Sequence, residues 1–307
     1  MDTNAVRPQL SLRAIVIILL VTAIWGFNFV VIKIGVDGVP PFFLAALRFT
    51  LSVFPAIFLV RRPQVSWPLL ASYGLLLGLG EFGFLFLAIK LGAPSGLSSI
   101  ILQSQAFFTV ILAAIALRER IRACSVAGMA IAGFGLALIA RSSLVDATSG
   151  LALLPFAMVI AAAFCWASAN IVTQRMQKAD GLSLMIWSSA FSPLPLFALS
   201  FAFERSAVVS SLAAIRPITV GALAYLVVLS TLFGYGAWNQ LIMRHGAKRI
   251  APFSLLVPVF GVASSALVFS ERFTRADALA ACAVLVGLAI HSFWPMLTER
   301  LSSRERS

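Results

Sequence analysis

Charged residues are scarce in this chain of 307 residues: 11% are Asp, Glu, Lys or Arg, whereas 61% are hydrophobic and the mean hydropathy is +1.00. That composition has too little polar surface to cover a soluble globule. The phosphate-binding pattern Gly-x-x-x-x-Gly-Lys-Ser/Thr is absent, which argues against direct use of ATP. No His-Glu-x-x-His or Gly-x-Ser-x-Gly pattern occurs either, and this disfavours an intramembrane enzyme.

Cysteine and histidine are also rare, with three and two copies. Cys124, Cys165 and Cys282 fall in three separate apolar runs without the spacing of metal ligands. We interpret them as buried packing residues, and we expect neither a metal nor a cofactor.

Long apolar runs are what the chain has instead. About 20 apolar residues at helical rise span a hydrocarbon core of about 30 Å, and ten runs of that length fit. The predicted runs are Leu12–Ile32, Pro41–Val60, Trp67–Ile89, Pro94–Leu117, Ala123–Ala140, Leu151–Thr173, Leu184–Phe203, Pro217–Met243, Pro252–Phe269 and Ala276–Trp294. The sequence therefore predicts an all-α polytopic membrane protein, with the lipid bilayer as its surroundings.

The ten runs divide into two copies of one five-helix unit. Trp25-Gly26-Phe27-Asn28 in the first run is matched by Trp166-Ala167-Ser168-Ala169-Asn170 in the sixth. Leu117-Arg118-Glu119-Arg120 closes the fourth run as Phe269-Ser270-Glu271-Arg272 closes the ninth. Because five is odd, the second copy has the opposite orientation in the membrane. We predict two inverted repeats, at residues 1–145 and 146–307, with a substrate site between them near the bilayer midplane.

The formal net charge of +12 is distributed by topology. With a cytoplasmic N-terminus, fifteen basic residues lie inside: Arg7, Arg13, Arg61, Arg62, Arg118, Arg120, Arg122, Arg175, Lys178, Arg244, Lys248, Arg249, Arg300, Arg304 and Arg306. Seven lie outside: Lys33, Lys90, Arg141, Arg205, Arg216, Arg272 and Arg275. The positive-inside rule then predicts that both termini are cytoplasmic, and no nucleic-acid partner is expected.

Polar side chains within the runs are the candidates for a substrate site, because a charge or amide facing lipid costs about 3 kcal/mol. The candidates are Trp25, Asn28, Arg48, Glu81, Gln103, Gln105, Trp166, Asn170, Tyr235, Trp238 and Asn239. Gln103 and Gln105 are two positions apart and cannot share a helix face, so at most one of them is expected to line a cavity.

The Trp and Asn of each matched pair share a helix face and could present a ring and an amide to a small zwitterion. Alternatively, each Asn bonds a neighbouring helix and each Trp fills a groove. For Arg48, the alternatives are a substrate carboxylate and a structural partner, either a carbonyl or Glu81.

Glycines interrupt the third and eighth runs at matching places, in Gly80-Glu81-Phe82-Gly83 and Gly234-Tyr235-Gly236. Such paired interruptions point to a midplane site, although close helix crossing would also explain them. Glu81 is a carboxylate well inside a run, where low dielectric disfavours its charged form. Three roles stay open for it: proton carrier, ligand of a substrate ammonium, or structural partner of Arg48.

Glu119 and Glu271 lie at helix ends beside arginines, so we interpret them as interfacial ion pairs or locks.

Several of these segments together resemble one family. They are Trp25-Gly26-Phe27-Asn28-Phe29-Val30-Val31-Ile32-Lys33, Ala46-Leu47-Arg48-Phe49, Gln103-Ser104-Gln105-Ala106-Phe107-Phe108, Gly234-Tyr235-Gly236 and Ala251-Pro252-Phe253-Ser254-Leu255-Leu256-Val257-Pro258. Taken from about Ile24 to Ile290, the chain resembles the EamA family of the drug/metabolite transporter superfamily.

The resemblance implies a ten-helix basket in the bacterial inner membrane, with four helices of each half around a central cavity and the fifth and tenth at the periphery. It also implies export of small amino-acid metabolites, and we expect small zwitterions, with cysteine and O-acetylserine as leading substrates. A proton is a candidate coupling ion, in line with the proton-carrier role open for Glu81. Relatives in the superfamily move other amino acids or drugs. The position of Glu81 more often holds an uncharged amide in these exporters, so an acid here would alter coupling or preference.

The charge distribution predicts the outcome of a fusion experiment. Alkaline phosphatase fused after Ser303 should be inactive, because that segment is predicted to be cytoplasmic, and a fusion within 145–149 should be active. Phosphatase activity in whole cells measures both, and the reverse pattern would contradict the ten-helix topology.

Overall fold

A computed structural model describes residues 10–116, 118, 121, 123–145, 153–176, 180–271 and 273–304. Within these ranges the chain is helical and contains no strand. Ten spans are long and apolar enough to cross a membrane: Leu12–Gly38, Pro41–Leu59, Trp67–Lys90, Ser95–Ala116, Ala123–Arg141, Leu153–Met176, Gly181–Phe203, Pro217–Ile242, Pro252–Phe269 and Arg275–Phe293. The predicted fold class and the ten runs are confirmed. The predicted interfacial residue Glu119 and the predicted outer loop at 146–149 lie outside the described residues.

Local sequence explains where several spans begin. The Ser11 hydroxyl accepts a hydrogen bond from the Ala14 amide at 3.2 Å, and the Asp180 carboxylate accepts one from the Ser183 amide at 2.9 Å. Both are N-cap bonds that satisfy amides left free at a helix start. Pro41 and Pro217 begin their helices as the first residue, where the missing N–H costs nothing.

The outer surface of the bundle is apolar. Large hydrophobic side chains such as Phe58, Leu194 and Leu267 are exposed on it, as expected for a surface that lipid covers. The interpretation of all three cysteines as buried was wrong: Cys124 and Cys165 are half-buried and Cys282 is exposed. A thiol on a transmembrane helix is covered by lipid as readily as by protein, so an apolar run alone does not predict burial in the bundle.

The main contacts between the two halves keep the same pattern when the halves are exchanged. The first span packs against the eighth and ninth, and the sixth packs against the third and fourth. The second packs against the seventh, the fourth against the ninth, and the fifth against the tenth. Exchanging each span of the first half with the span five numbers later converts this set of contacts into itself.

The fifth and tenth spans cross at glycines. A Cβ added to Gly128 would lie 2.5 Å from the Gly287 carbonyl oxygen, and one added to Gly287 would lie 2.4 Å from the Gly128 carbonyl oxygen. Only glycine permits this backbone approach, which maximises dispersion contact between helices that lipid does not push together.

Irregular turns interrupt the spans nearest the centre. A π-helical segment, Leu75–Phe82, occupies the third span, and another, Tyr225–Phe233, occupies the eighth. Each is followed directly by a glycine, Gly83 or Gly234. Short 3₁₀ segments, Leu102–Ser104 and Ala251–Leu255, lie in the fourth span and at the start of the ninth. π-Helical turns free backbone and side-chain groups from the regular pattern and are frequent at functional sites.

One face of the bundle is joined by a carboxylate at the end of the ninth span. Glu271 Oε1 accepts hydrogen bonds from Lys33 Nζ at 3.1 Å, the Ser95 amide at 3.1 Å and the Ser95 hydroxyl at 2.9 Å. Its Oε2 accepts one from the Gly96 amide at 3.1 Å. The Ser95 hydroxyl is also 2.8 Å from the Ser265 hydroxyl. We call this group the Glu271 cluster; it links the ends of the first and ninth spans to the start of the fourth.

A second carboxylate acts in the same way on the same face. Glu204, at the end of the seventh span, accepts hydrogen bonds from the amides of Phe42 and Phe43 at 3.0 and 3.1 Å. Those amides are at the start of the second span, where no intrahelical partner exists. Each carboxylate comes from the second half and satisfies amides of the first.

We expect the Glu271 cluster to stabilise the fold chiefly through its amide bonds. Glu271→Ala should lower the free energy of unfolding by about 2–3 kcal/mol, because several donors lose a charged acceptor. Lys33→Met should cost at most about 1 kcal/mol, since the Lys33 side chain is 30% exposed and its ion pair is screened. Thermal unfolding of the purified proteins measures the order, and an equal or larger loss in Lys33→Met would contradict it.

Candidate functional site

Arg48 is the most deeply buried charge at the centre of the bundle, with 1% of its surface exposed. Its Nε donates to the Thr231 hydroxyl at 3.2 Å, and its Nη2 donates to the Ser230 hydroxyl at 3.4 Å. The guanidinium carbon lies 4.0 Å from the centre of the Phe82 ring, a cation–π contact. Arg48 Nη1 is buried and has no hydrogen-bond partner among the described residues. Arg48 therefore joins the second, third and eighth spans and keeps one nitrogen free.

The π-helical segment of the eighth span places the two hydroxyls that hold Arg48. The Thr231 hydroxyl donates to the Leu226 carbonyl five residues earlier, at 2.8 Å, while its oxygen accepts from Arg48. The indole N–H of Trp25 donates to the Ser230 carbonyl at 3.0 Å. A Cβ on Gly234 would lie 2.6 Å from that indole nitrogen, so a larger residue there would displace Trp25.

Trp25 is also the centre of an aromatic cluster. The rings of Tyr235 and Trp238 each lie 5.2 Å from the Trp25 ring, centroid to centroid. Such tilted contacts favour a fixed arrangement of the three rings. Trp25, Tyr235 and Trp238, predicted as site residues, are thus brought together between the first and eighth spans.

Glu81 lies within the π-helical segment of the third span and is 3% exposed. Its Oε2 is buried without a hydrogen-bond partner among the described residues. No ion pair joins Glu81 to Arg48 in the part of the chain that the structure describes. The adjacent residue, Phe82, takes the place against the guanidinium, because consecutive helical residues face different directions.

The two matched Asn residues have different surroundings. Asn170 donates to Gln105 Oε1 at 3.0 Å and to the Thr109 hydroxyl at 3.2 Å, which cross-links the sixth and fourth spans. Asn28 is 6% exposed, and its Oδ1 has no partner among the described residues. The structural alternative thus describes Asn170, whereas Asn28 retains an unused acceptor.

The remaining predicted residues have their contacts in other parts of the bundle. Gln103 donates to the Ser254 carbonyl at 3.3 Å, while Gln105 bonds Asn170, so these two amides do face different helices. Trp166 is half-buried and packs against the hydrophobic core. Asn239 lies against Gly181 at the start of the seventh span.

The sequence reading missed Ser230, Thr231 and Phe82 as partners of Arg48. Phe82 was indistinguishable from packing residues, because the chain contains 25 phenylalanines. A signal for the hydroxyls did exist: Ser230 and Thr231 are adjacent in an apolar run, just before Gly234. Hydroxyl residues are so common in helix packing that this signal alone does not indicate a site.

Comparisons with known proteins agree with this architecture. The model of the EamA-like transporter family matches residues 12–141 and 153–293. A protein of Escherichia coli named "Probable amino-acid metabolite efflux pump" is 44% identical over 283 residues, covering 91% of this chain and 94% of that protein. Its counterpart in Salmonella typhimurium is 42% identical over 280 residues, covering 90% and 93%.

More distant relatives share the architecture at lower identity. A "Probable terminal-alkyne amino-acid exporter" of Streptantibioticus cattleyicolor is 25% identical over 254 residues, covering 80% of this chain and 82% of that protein. A solved crystal structure with 18% sequence identity superposes with a TM-score of 0.64 over 92% of this chain and 96% of that chain. At that identity the likeness shows a common fold.

Proposed function

Because the chain belongs to the EamA-like transporter family, we propose that it is a secondary active exporter of small amino-acid metabolites in the bacterial inner membrane. The observation that carries the proposal is a pair of ionisable residues, Arg48 and Glu81, buried within the spans without an ion pair between them in the described residues. Ionisable groups in such positions usually serve a transported substrate or ion.

The relatives supply the substrate class. Two enterobacterial relatives above 40% identity are named as amino-acid metabolite efflux pumps, and a distant one as an amino-acid exporter. Within that class we propose cysteine and O-acetylserine as the leading substrates, with other amino acids or drugs as the alternative. The competing class is a non-transporting membrane sensor, and a flux measurement distinguishes it from an exporter.

We further propose that the halves 1–145 and 146–307 are inverted repeats that rock about the site by alternating access. Two features support this proposal: the family model matches one stretch in each half, and the main contacts between the halves keep their pattern when the halves are exchanged. The site contacts also cross between halves, since Arg48 bonds Ser230 and Thr231. These features support a site formed at the repeat interface.

Alternating access would require the two carboxylate contacts on one face to break. Separating the halves there means removing Glu271 from Lys33, Ser95 and Gly96, and Glu204 from the start of the second span. With both termini in the cytoplasm, these contacts lie on the outer face. Opening of that face would then be the last step of export, in which the substrate is released outside the cell. The amides would be solvated by water in the open state, which limits the free energy needed.

A flux assay over a panel of metabolites tests the proposal. Purified protein in liposomes should exchange internal for external L-cysteine or O-acetyl-L-serine faster than protein-free liposomes do. Aromatic amino acids and a cationic antibiotic serve as the comparison set. Exchange confined to the comparison set would retain the transporter and reject the named substrates, and no exchange of any compound would reject the exporter.

Glu81→Gln separates the roles proposed for this carboxylate, since it keeps the shape and removes charge and titration. If Glu81 carries a coupling proton, the variant should lose export driven by a pH gradient and retain exchange. If it binds a substrate ammonium, the half-saturating concentration should rise by about tenfold at every pH, as for loss of one charged contact.

The Glu81 measurement has a clear contrary outcome. Wild-type affinity and wild-type pH dependence in Glu81→Gln would reject both roles.

A further inference from the structure

Arg48 is held in a way that leaves one defined part of its guanidinium unused. A guanidinium has five N–H donors in a fixed plane, one on Nε and two on each terminal nitrogen. Thr231 accepts from Nε and Ser230 accepts from Nη2, while Phe82 covers one face of the plane. One N–H of Nη2 and both N–H groups of Nη1 remain, and Nη1 is buried without a partner among the described residues.

An unused buried donor on a charged group is costly to the fold. The chain has an acid, Glu81, next to the Phe82 that covers Arg48. Glu81 nevertheless forms no ion pair with Arg48 among the described residues and has a buried unpartnered oxygen, Oε2. Two groups that could neutralise each other are therefore kept apart, each with a free atom. A small zwitterion carries both missing partners, a carboxylate for Nη1 and an ammonium for Oε2.

The hydroxyls that orient Arg48 are themselves fixed. Thr231 Oγ1 uses its proton on the Leu226 carbonyl, so its oxygen can only accept from Arg48 Nε. Ser230 is anchored through its carbonyl by the Trp25 indole. These bonds depend on the π-helical segment Tyr225–Phe233, in which the Thr231 side chain reaches the carbonyl five residues back.

We propose that Ser230 and Thr231 are positioning residues that aim Arg48 Nη1 at the carboxylate of the substrate, and that the transporter therefore selects compounds with a free carboxylate. This proposal rests on the proposed function and deepens it. It predicts discrimination between an amino acid and its amide, which have the same side chain and ammonium but differ in the charge of the carboxyl group.

The wild-type protein provides the first test. Excess L-cysteine should inhibit exchange of labelled L-cysteine at concentrations at least about tenfold lower than L-cysteinamide does, because one charged hydrogen bond is lost in the amide. Equal inhibition by the acid and the amide would overturn the proposal.

Substitutions at the hydroxyls provide the second test. Thr231→Val keeps the shape and removes the acceptor, so it should raise the half-saturating concentration of L-cysteine by about tenfold and reduce the preference over L-cysteinamide to less than about threefold. Thr231→Ser keeps the hydroxyl and removes the methyl group, so its affinity and its preference should match the wild-type values. If Thr231 acted only by packing its methyl group, Thr231→Ser would be impaired instead. Unchanged affinity and preference in folded Thr231→Val would overturn the proposal.

Thr219→Val is the matched control. Thr219 is a buried threonine in the same span whose hydroxyl oxygen has no partner among the described residues, so its replacement should leave affinity and preference unchanged. If Thr231→Val aggregates in size-exclusion chromatography, Ser230→Ala replaces it, because it removes only the longer bond to Arg48. A smaller loss of preference is expected there, and a full wild-type preference would contradict the proposal.

Equilibrium binding separates a failure of this inference from a failure of the proposed function. Binding of L-cysteine and L-cysteinamide to the purified protein is measured by isothermal titration calorimetry. Selective binding of the acid without flux would retain the Arg48 site and reject the exporter. Flux of L-cysteine with equal binding of the acid and the amide would retain the exporter and reject the site.

Discussion

The buried guanidinium of Arg48 is the constraint on which the centre of this protein depends. A charge within the spans must be solvated by protein groups, because neither lipid nor water does so there. The second span supplies the charge, the eighth supplies two hydroxyls and the third supplies an aromatic face. These contacts fix three helices, drawn from both halves, relative to one another.

The π-helical segment of the eighth span follows from the same constraint. A regular helix offers its hydroxyls to its own carbonyls, whereas Thr231 bonds a carbonyl five residues back and still accepts from Arg48. Trp25 uses the Ser230 carbonyl and thereby connects the first span to this segment. Its tilted ring contacts with Tyr235 and Trp238 extend the ordered region toward the face where the eighth span ends.

The contacts at the opposite face have a different physical character from those at the centre. Glu271 and Glu204 satisfy free amides at helix starts, which water can replace when the helices part. Arg48 has no such replacement in a closed bundle. In the proposed alternating access, this face would open at modest cost while the central charge keeps its protein partners, and the proposed carboxylate ligand would occupy the donor that they leave.

Much of the fold could be predicted because a bilayer demands about 20 apolar residues per helix, and the ten runs meet that demand from Leu12 to Phe293. The separation of Gln103 from Gln105 was also predictable, since residues two positions apart on a helix face different directions. The exposure of the cysteines could not be predicted, because hydropathy does not show whether lipid or protein covers a side chain. The pairing of Arg48 was missed for a similar reason.

The sequence by itself determined the number and extent of the helices, the matched halves and the presence of unusual charges among apolar residues, because these depend on composition and on spacing along one helix. Only the tertiary structure decided which helix each polar side chain meets. Arg48 and Thr231 are separated by 183 positions, and a bond across that distance depends on how the spans pack. Helix packing in lipid depends on shape and on a few hydrogen bonds, and neither is visible in a single helix.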